Sequence, residues 1–279
     1  MLLSIERPTT KISSEDVRWA SLEARLDALN LLYARTPWRS FGNEARCALL
    51  MRSGLLFPID KAFSAPHGTG HPSLDRFLIR PAIEPIVYSS WNRFETWDID
   101  DGWAIKFTTL LTSQNTQLRS VSVDKPALGD LPPMKYASLE TAPLWLDSLA
   151  AIRSFDGLTS LQEACLVHAS VVLHHPLSDG NGRLARALFH GSLCSRGRID
   201  APFLATGPIM YRASHSYMRA IRRLSHTGSL TTYLDDICDL LDATIATQEQ
   251  LEDSEALGRA IEGMSEEVLS HQPVNGGFR

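Results

Sequence analysis

Apolar positions recur at helical spacing over most of this chain. Val17, Leu22, Leu26, Leu29 and Leu32 fall close to a 3.6-residue period after the polar run SSED, which offers an N-cap and an acidic first turn. A helix is predicted over residues 13–35. NEARCALLMRSG predicts a second over 43–54, stopped by Gly54. Prolines and glycines then break the pattern, so 58–90 reads as loop with short helical pieces. DDGWAIKFTTLLTS predicts a helix over 100–113 with an aspartate start. LRSVSVD, residues 118–124, alternates apolar and polar and predicts a short strand, which the turn-rich PALGDLPPMKY would fold into a hairpin. From Ser138 onward the helical period returns, over 138–152, 160–174, 183–196, 213–226 and 229–252. The last 27 residues turn acidic and then glycine-rich and are expected to fray. Many helices against one or two short strands predict a mostly α fold.

Composition narrows the function classes. The chain has 279 residues, 21% charged and 44% hydrophobic, with a net charge of -5. That is ordinary globular usage and can bury a sizeable core. The charge balance gives no reason to expect nucleic acid as a partner, which calls for a basic surface. The N-terminus becomes polar within six residues and no apolar run reaches a membrane span, so neither leader nor membrane partner is expected. Cys47, Cys165, Cys194 and Cys238 are far apart, without a C-x-x-C pair, and read as small buried apolar residues in a reducing compartment. The expected location is cytoplasmic: bacterial cytosol, or host cytosol for a secreted effector. His67 and His71 in HGTGH lack acidic or thiol partners nearby, which favours a solvated loop over a metal site.

Residues 174–186, HHPLSDGNGRLAR, carry the chemistry. The helix before them ends near His174, because Pro176 disfavours helix at the residue it follows. His175 thus stands at a loop mouth, against a rigid helix, as a general base near neutral pH. Gly180, Asn181 and Gly182 open the next helix, where free backbone N–H groups and the helix dipole favour an anion. Arg183 and Arg186, three apart, share a helix face and suit a polyphosphate. Asp179 would repel phosphate unless a cation lies between, which implies Mg²⁺. Together these groups describe phosphoryl or nucleotidyl transfer from a Mg-bound nucleotide to a hydroxyl.

The stretch resembles the signature of the Fic (filamentation induced by cAMP) family, H-x-F-x-[D/E]-G-N-G-R-x-x-R. Its one departure is Leu177 where the family has Phe, an apolar position that packs into the core. LRSVSV with the segment to Ile152, and PIMYRASHSYMRAIRRLSHTGSLTTYLDDICDLL downstream, also look like the family's flap and later helices. The resemblance implies a Fic fold, a helical bundle with a short β-hairpin flap near the active site. It divides the chain into a helical N-terminal extension (1–99), a catalytic core (100–252) and a tail (253–279). It implies a protein adenylyltransferase that moves AMP from Mg-ATP to a Ser, Thr or Tyr hydroxyl of a target protein docked by the flap around 118–136. In that reading His175 is the base, Asp179 holds Mg²⁺, and Gly180, Asn181 and Gly182 cradle the α- and β-phosphates. Arg183 steadies the β- and γ-phosphates and Arg186 reaches the γ-phosphate or pairs with an inhibitory glutamate.

The family's inhibitory pattern [S/T]-x-x-x-E-[G/N] is matched by Ser40 and Glu44 and fails at Ala45. An alternative is that Ser40 or Asn43 merely caps a helix and Glu44 complements its dipole. An intramolecular inhibitory helix and a separate small antitoxin therefore both stay open as partners. So do removal of AMP at the same site, transfer of UMP or GMP, and a catalytically silent nucleotide-binding interaction module.

Overall fold

The computed structural model of the chain describes residues 17–34, 53, 83–112, 114–127, 129–204, 206 and 213–253. The 43–54 helix, Ser40, Glu44, Cys47, the His67/His71 loop and the tail from 254 lie outside them. Among the described residues there are eight α-helices: α1 (Val17–Ala34), α2 (Ile83–Thr96), α3 (Asp101–Thr112), α4 (Trp145–Arg153), α5 (Ser160–His174), α6 (Asn181–Ser195), α7 (Ser214–Thr227) and α8 (Leu230–Asp253). The fold is mostly α, as the periodicity predicts, and no described helix is long and apolar enough to cross a membrane. A helix over α2 arises where the sequence reads as broken. Its Pro85 lies in the first turn, where the N–H that proline lacks would have no helical acceptor.

The centre is α5. Thr159 starts it with a capping box: its hydroxyl accepts from Gln162 N–H, and Gln162 Oε1 accepts from Thr159 N–H at 2.9 Å. Nearly every residue of α5 is buried, because neighbours cover it on all sides. Its main partner is α6, with α4, α1, α7 and α8 completing the cover, while α2 and α3 pack on α6. Gly191 allows the α2–α6 contact, since a Cβ there would stand 2.6 Å from the Phe94 ring. Trp91, Phe94, Trp103 and Phe107 form an aromatic cluster between α2 and α3; Trp103 and Phe107 stack at 4.7 Å.

The far ends of α5 and α6 are fastened by charge. The buried Glu163 carboxylate accepts from Arg153 and Ser192 Oγ, both at 2.8 Å, and from Arg196 Nε at 2.9 Å. Arg153 also lies over the Trp97 ring at 4.0 Å. This cluster leaves the opposite ends of the two helices, and the loop between them, for the site.

The segment predicted as a strand-turn hairpin is extended but hardly laddered. Its described pairing consists of isolated antiparallel bridges, Lys125 with Met134 and Leu118 with Leu177. Pro126, Pro132 and Pro133 remove the donors that a longer ladder would need. The flap is fastened by side chains instead. Buried Arg222 on α7 donates to the carbonyls of Pro126 and Pro132, His226 Nε2 meets Pro133 O at 2.7 Å, and Ser225 Oγ accepts from Lys135 N–H at 3.3 Å.

Candidate active site

His175 caps the C-terminus of α5 in the left-handed region, φ 49° and ψ 55°, with its N–H donating to Val171 O at 3.0 Å. Positive φ is uncommon for a residue with a Cβ. The helix has to end here, since Pro176 follows and disfavours continued helix. The half-buried imidazole lies 4.7 Å from the Tyr136 ring, with the planes tilted by 60°.

The loop after His175 is held from two sides. Extended residues 117–119 run antiparallel to 176–178: Arg119 N–H donates to Pro176 O and Ser178 N–H to Gln117 O, both at 2.8 Å. From the other side Asn181 clamps Leu177: its Oδ1 accepts from Leu177 N–H at 2.9 Å and its Nδ2 donates to Leu177 O at 2.8 Å. Leu177 itself is fully buried, in keeping with the apolar packing expected there. Asn181 thus contributes a positioning role that its place among glycines did not reveal. Any anion contact from it would come through its backbone N–H.

Gly180 is the N-cap of α6, left-handed at φ 79°, and no side chain caps the helix. A Cβ at Gly180 would stand 2.2 Å from Thr108 Cγ2, so glycine is required both by φ and by the close approach of α3. No side chain caps the first-turn N–H groups of α6, and Arg183 N–H turns back to Gly180 O at 3.0 Å, so Asn181 and Gly182 carry the N–H groups nearest the cap. Beside them the exposed Asp179 carboxylate accepts from Gly180 N–H at 2.7 Å through Oδ1. Half-buried Arg183 donates to Leu111 O at the end of α3. Arg186 is 4% exposed, deep between α5 and α6.

That guanidinium and burial together shape the neighbouring histidines. Desolvation first, then Arg186, pushes His168 down to about 3. His190, whose Nδ1 meets Arg186 O at 2.9 Å, is pushed down to about 4, chiefly by desolvation. His168 is buried as its helix face predicts, though its Nε2 has no hydrogen-bond partner. It lines a small cavity of about 30 Å³ with Cys165, Tyr217 and Tyr233. His174 is also buried, with Nδ1 at 2.9 Å from Ser170 O.

His175, Asp179 and Gly180 therefore bound one short loop, with Asn181, Gly182, Arg183 and Arg186 on the helix it opens. Tyr136 and Arg222 were not legible as parts of the site. The face of Arg219, Arg222 and Arg223 reads from sequence as solvated; only its outer members are exposed, and Arg222 is 1% exposed because the flap lies over it.

A family model, Fic/DOC family, matches residues 111–193, the span from the end of α3 to α6. The chain carries a Fic domain. Solved structures resemble it over a longer stretch. A Fic family protein from Desulfovibrio desulfuricans is 14% identical with a TM-score of 0.55, covering 85% of this chain and 76% of that one. A Fic domain containing signaling protein from Bacteroides thetaiotaomicron is 15% identical with a TM-score of 0.56, covering 93% and 100%. Fic-1 from C. elegans, as a fragment, is 13% identical with a TM-score of 0.52, covering 85% and 72%. No curated protein matches the chain. At these identities the structural likeness concerns the fold, and the Fic loop of this chain has to be read from its own residues.

Proposed function

We propose that this Fic domain protein is a protein adenylyltransferase, moving AMP from Mg-ATP to a hydroxyl of another protein. One juxtaposition supports the reading above the rest: a histidine fixed at the end of one helix, five residues before the glycine that caps the N-terminus of the next, with an exposed carboxylate between. The donor set fits a magnesium-bound polyphosphate. Uncapped N–H groups of α6 favour phosphate oxygens. Among the described residues no group of three or more His, Cys, Asp or Glu could hold a metal alone. A cation at Asp179 would have to share its shell with phosphate and water, which is how Mg²⁺ binds.

His175 takes the proton of the incoming hydroxyl as its oxygen bonds to the α-phosphorus. The bond from that phosphorus to the bridging oxygen breaks, and pyrophosphate leaves. Asp179 would hold Mg²⁺, which supplies neutralisation of the phosphate charge. Gly180, Asn181 and Gly182 offer backbone N–H groups to the phosphates, and Arg183 and Arg186 supply positive charge along α6. Asn181 keeps Leu177, and hence the loop, in place. The flap of residues 118–136 would align the target segment beside His175.

The test is transfer of α-labelled nucleotides to lysate proteins. ATP should label, GTP and UTP should not, and His175→Ala should abolish labelling. Labelling that survives His175→Ala would overturn the assignment of the base. Glu44→Gly should raise labelling if the Ser40/Glu44 segment inhibits; unchanged labelling removes that idea and leaves an enzyme that is unrestrained or held by a separate antitoxin.

A further inference from the structure

Two peptide carbonyls flank His175, and one residue bonds both. The carbonyl of His174, before it, accepts from Arg119 Nη2 at 3.2 Å. The carbonyl of Pro176, after it, accepts from Arg119 backbone N–H at 2.8 Å. The same Nη2 donates to Ala137 O at 2.7 Å, one residue beyond the Tyr136 ring that faces His175. Ala137 N–H in turn donates to Leu173 O at 2.9 Å, so the return arm of the flap is tied to the same end of α5.

Arg119 is 8% exposed and, among the described residues, its guanidinium donates to main-chain carbonyls, with no carboxylate among them. A buried cation of this kind is an expensive way to fill space, because an apolar side chain would avoid the desolvation. Its placement suits something else. Its charge sits where the last carbonyls of α5 have no donor of the helix's own and the helix dipole is negative. A histidine in the left-handed region stays there only when its surroundings over-determine it.

We propose that Arg119 is a positioning residue for His175, locking the peptide groups on either side of the histidine and so the direction of its imidazole. This rests on the reading of His175 as the base. Arg119 acts through the peptides and touches no reacting atom.

The full chain as Arg119→Met and Arg119→Lys tests it. Three quantities are compared: label transferred from α-labelled ATP at saturation, affinity for α,β-methylene-ATP with Mg²⁺, and hydrogen exchange of His175, Leu177 and Ser178. Transfer should fall about 100-fold in Arg119→Met, the scale of a misplaced catalytic group, and about tenfold in Arg119→Lys. Nucleotide affinity should stay within about twofold, since the phosphates bind α6. Exchange should quicken at the three loop amides and stay unchanged in the middle of α6. Wild-type transfer and exchange in Arg119→Met would overturn the proposal. So would a loss of transfer matched by lost nucleotide affinity and faster exchange throughout α5 and α6, which marks a merely structural role. Should Arg119→Met not fold, wild-type behaviour of Arg119→Lys overturns it instead. If the wild-type chain transfers no label, the adenylyltransferase reading fails, and the exchange comparison alone decides for or against Arg119 as the lock.

Discussion

Asn181 holds Leu177 by both of its backbone groups, accepting from the N–H at 2.9 Å and donating to the carbonyl at 2.8 Å. The clamp closes the site loop on itself across the start of α6. Asn181→Ala would leave two buried peptide groups unpaired, at about 1–3 kcal/mol each. Urea unfolding should show a loss of about 3 kcal/mol. Asn181→Asp keeps the acceptor but sets a carboxylate against the Leu177 carbonyl, so it should be no more stable than Asn181→Ala.

Gly180→Ala should destabilise through two separable causes. The left-handed φ of 79° costs about 1–2 kcal/mol for a residue with a Cβ, and that Cβ would lie 2.2 Å from Thr108 Cγ2 and 2.8 Å from Thr112 Cγ2. Adding Thr108→Ser and Thr112→Ser removes both methyl groups. Thermal unfolding of the triple variant should recover the steric part and retain the backbone part.

The buried histidines set an acid limit. Burial pushes His168 down to about 3 and His190 down to about 4 in the folded state, both below the ordinary value of about 6.5. The unfolded chain therefore binds more protons below pH 6.5, and stability falls as pH drops through that window. Above it neither residue contributes a pH dependence. Between pH 6.5 and 5 each should remove about 2 kcal/mol, measured as a falling urea midpoint. His168→Leu should flatten that slope by one proton's worth, and an unaltered slope would contradict the shift.

Arg222 should control how firmly the flap is seated. Its bonds to Pro126 and Pro132 carbonyls come from a buried guanidinium, a class worth about 1.5–3 kcal/mol each. Arg222→Met should raise the open population of the flap at least about tenfold. Trypsin at Lys135, which Tyr136 follows, reads this directly: cleavage should accelerate there while α5 and α6 remain intact.

At the far ends of α5 and α6, Glu163→Gln should cost about 3 kcal/mol, because the buried Arg153 loses its counter-charge. Urea unfolding checks it, and the labelling activity of the folded variant should stay near wild type, since Glu163 lies at the opposite end of α5 from His175.

The helical period located α5 to the residue, and the loop chemistry was legible because glycine, asparagine and arginine spacing has a local cause. What escaped was nonlocal. Arg119 reads as a polar position in an alternating strand, and only the fold brings its guanidinium to the end of α5. Arg222 reads as one of three solvated cations, and only the flap makes it a buried anchor. α2 was hidden by Pro85, whose effect depends on its place in the first turn. The alternation over 118–124 predicts a ladder, but the facing segment carries Pro126, Pro132 and Pro133, which have no N–H to complete one.

The antiparallel seam between residues 117–119 and 176–178 bears on portability. Transplanting the thirteen residues 174–186 into another helical hairpin would carry the reactive groups but leave behind the partner that keeps their main chain in shape. A functional graft would have to bring a second, sequence-distant piece, running from Gln117 to Ala137.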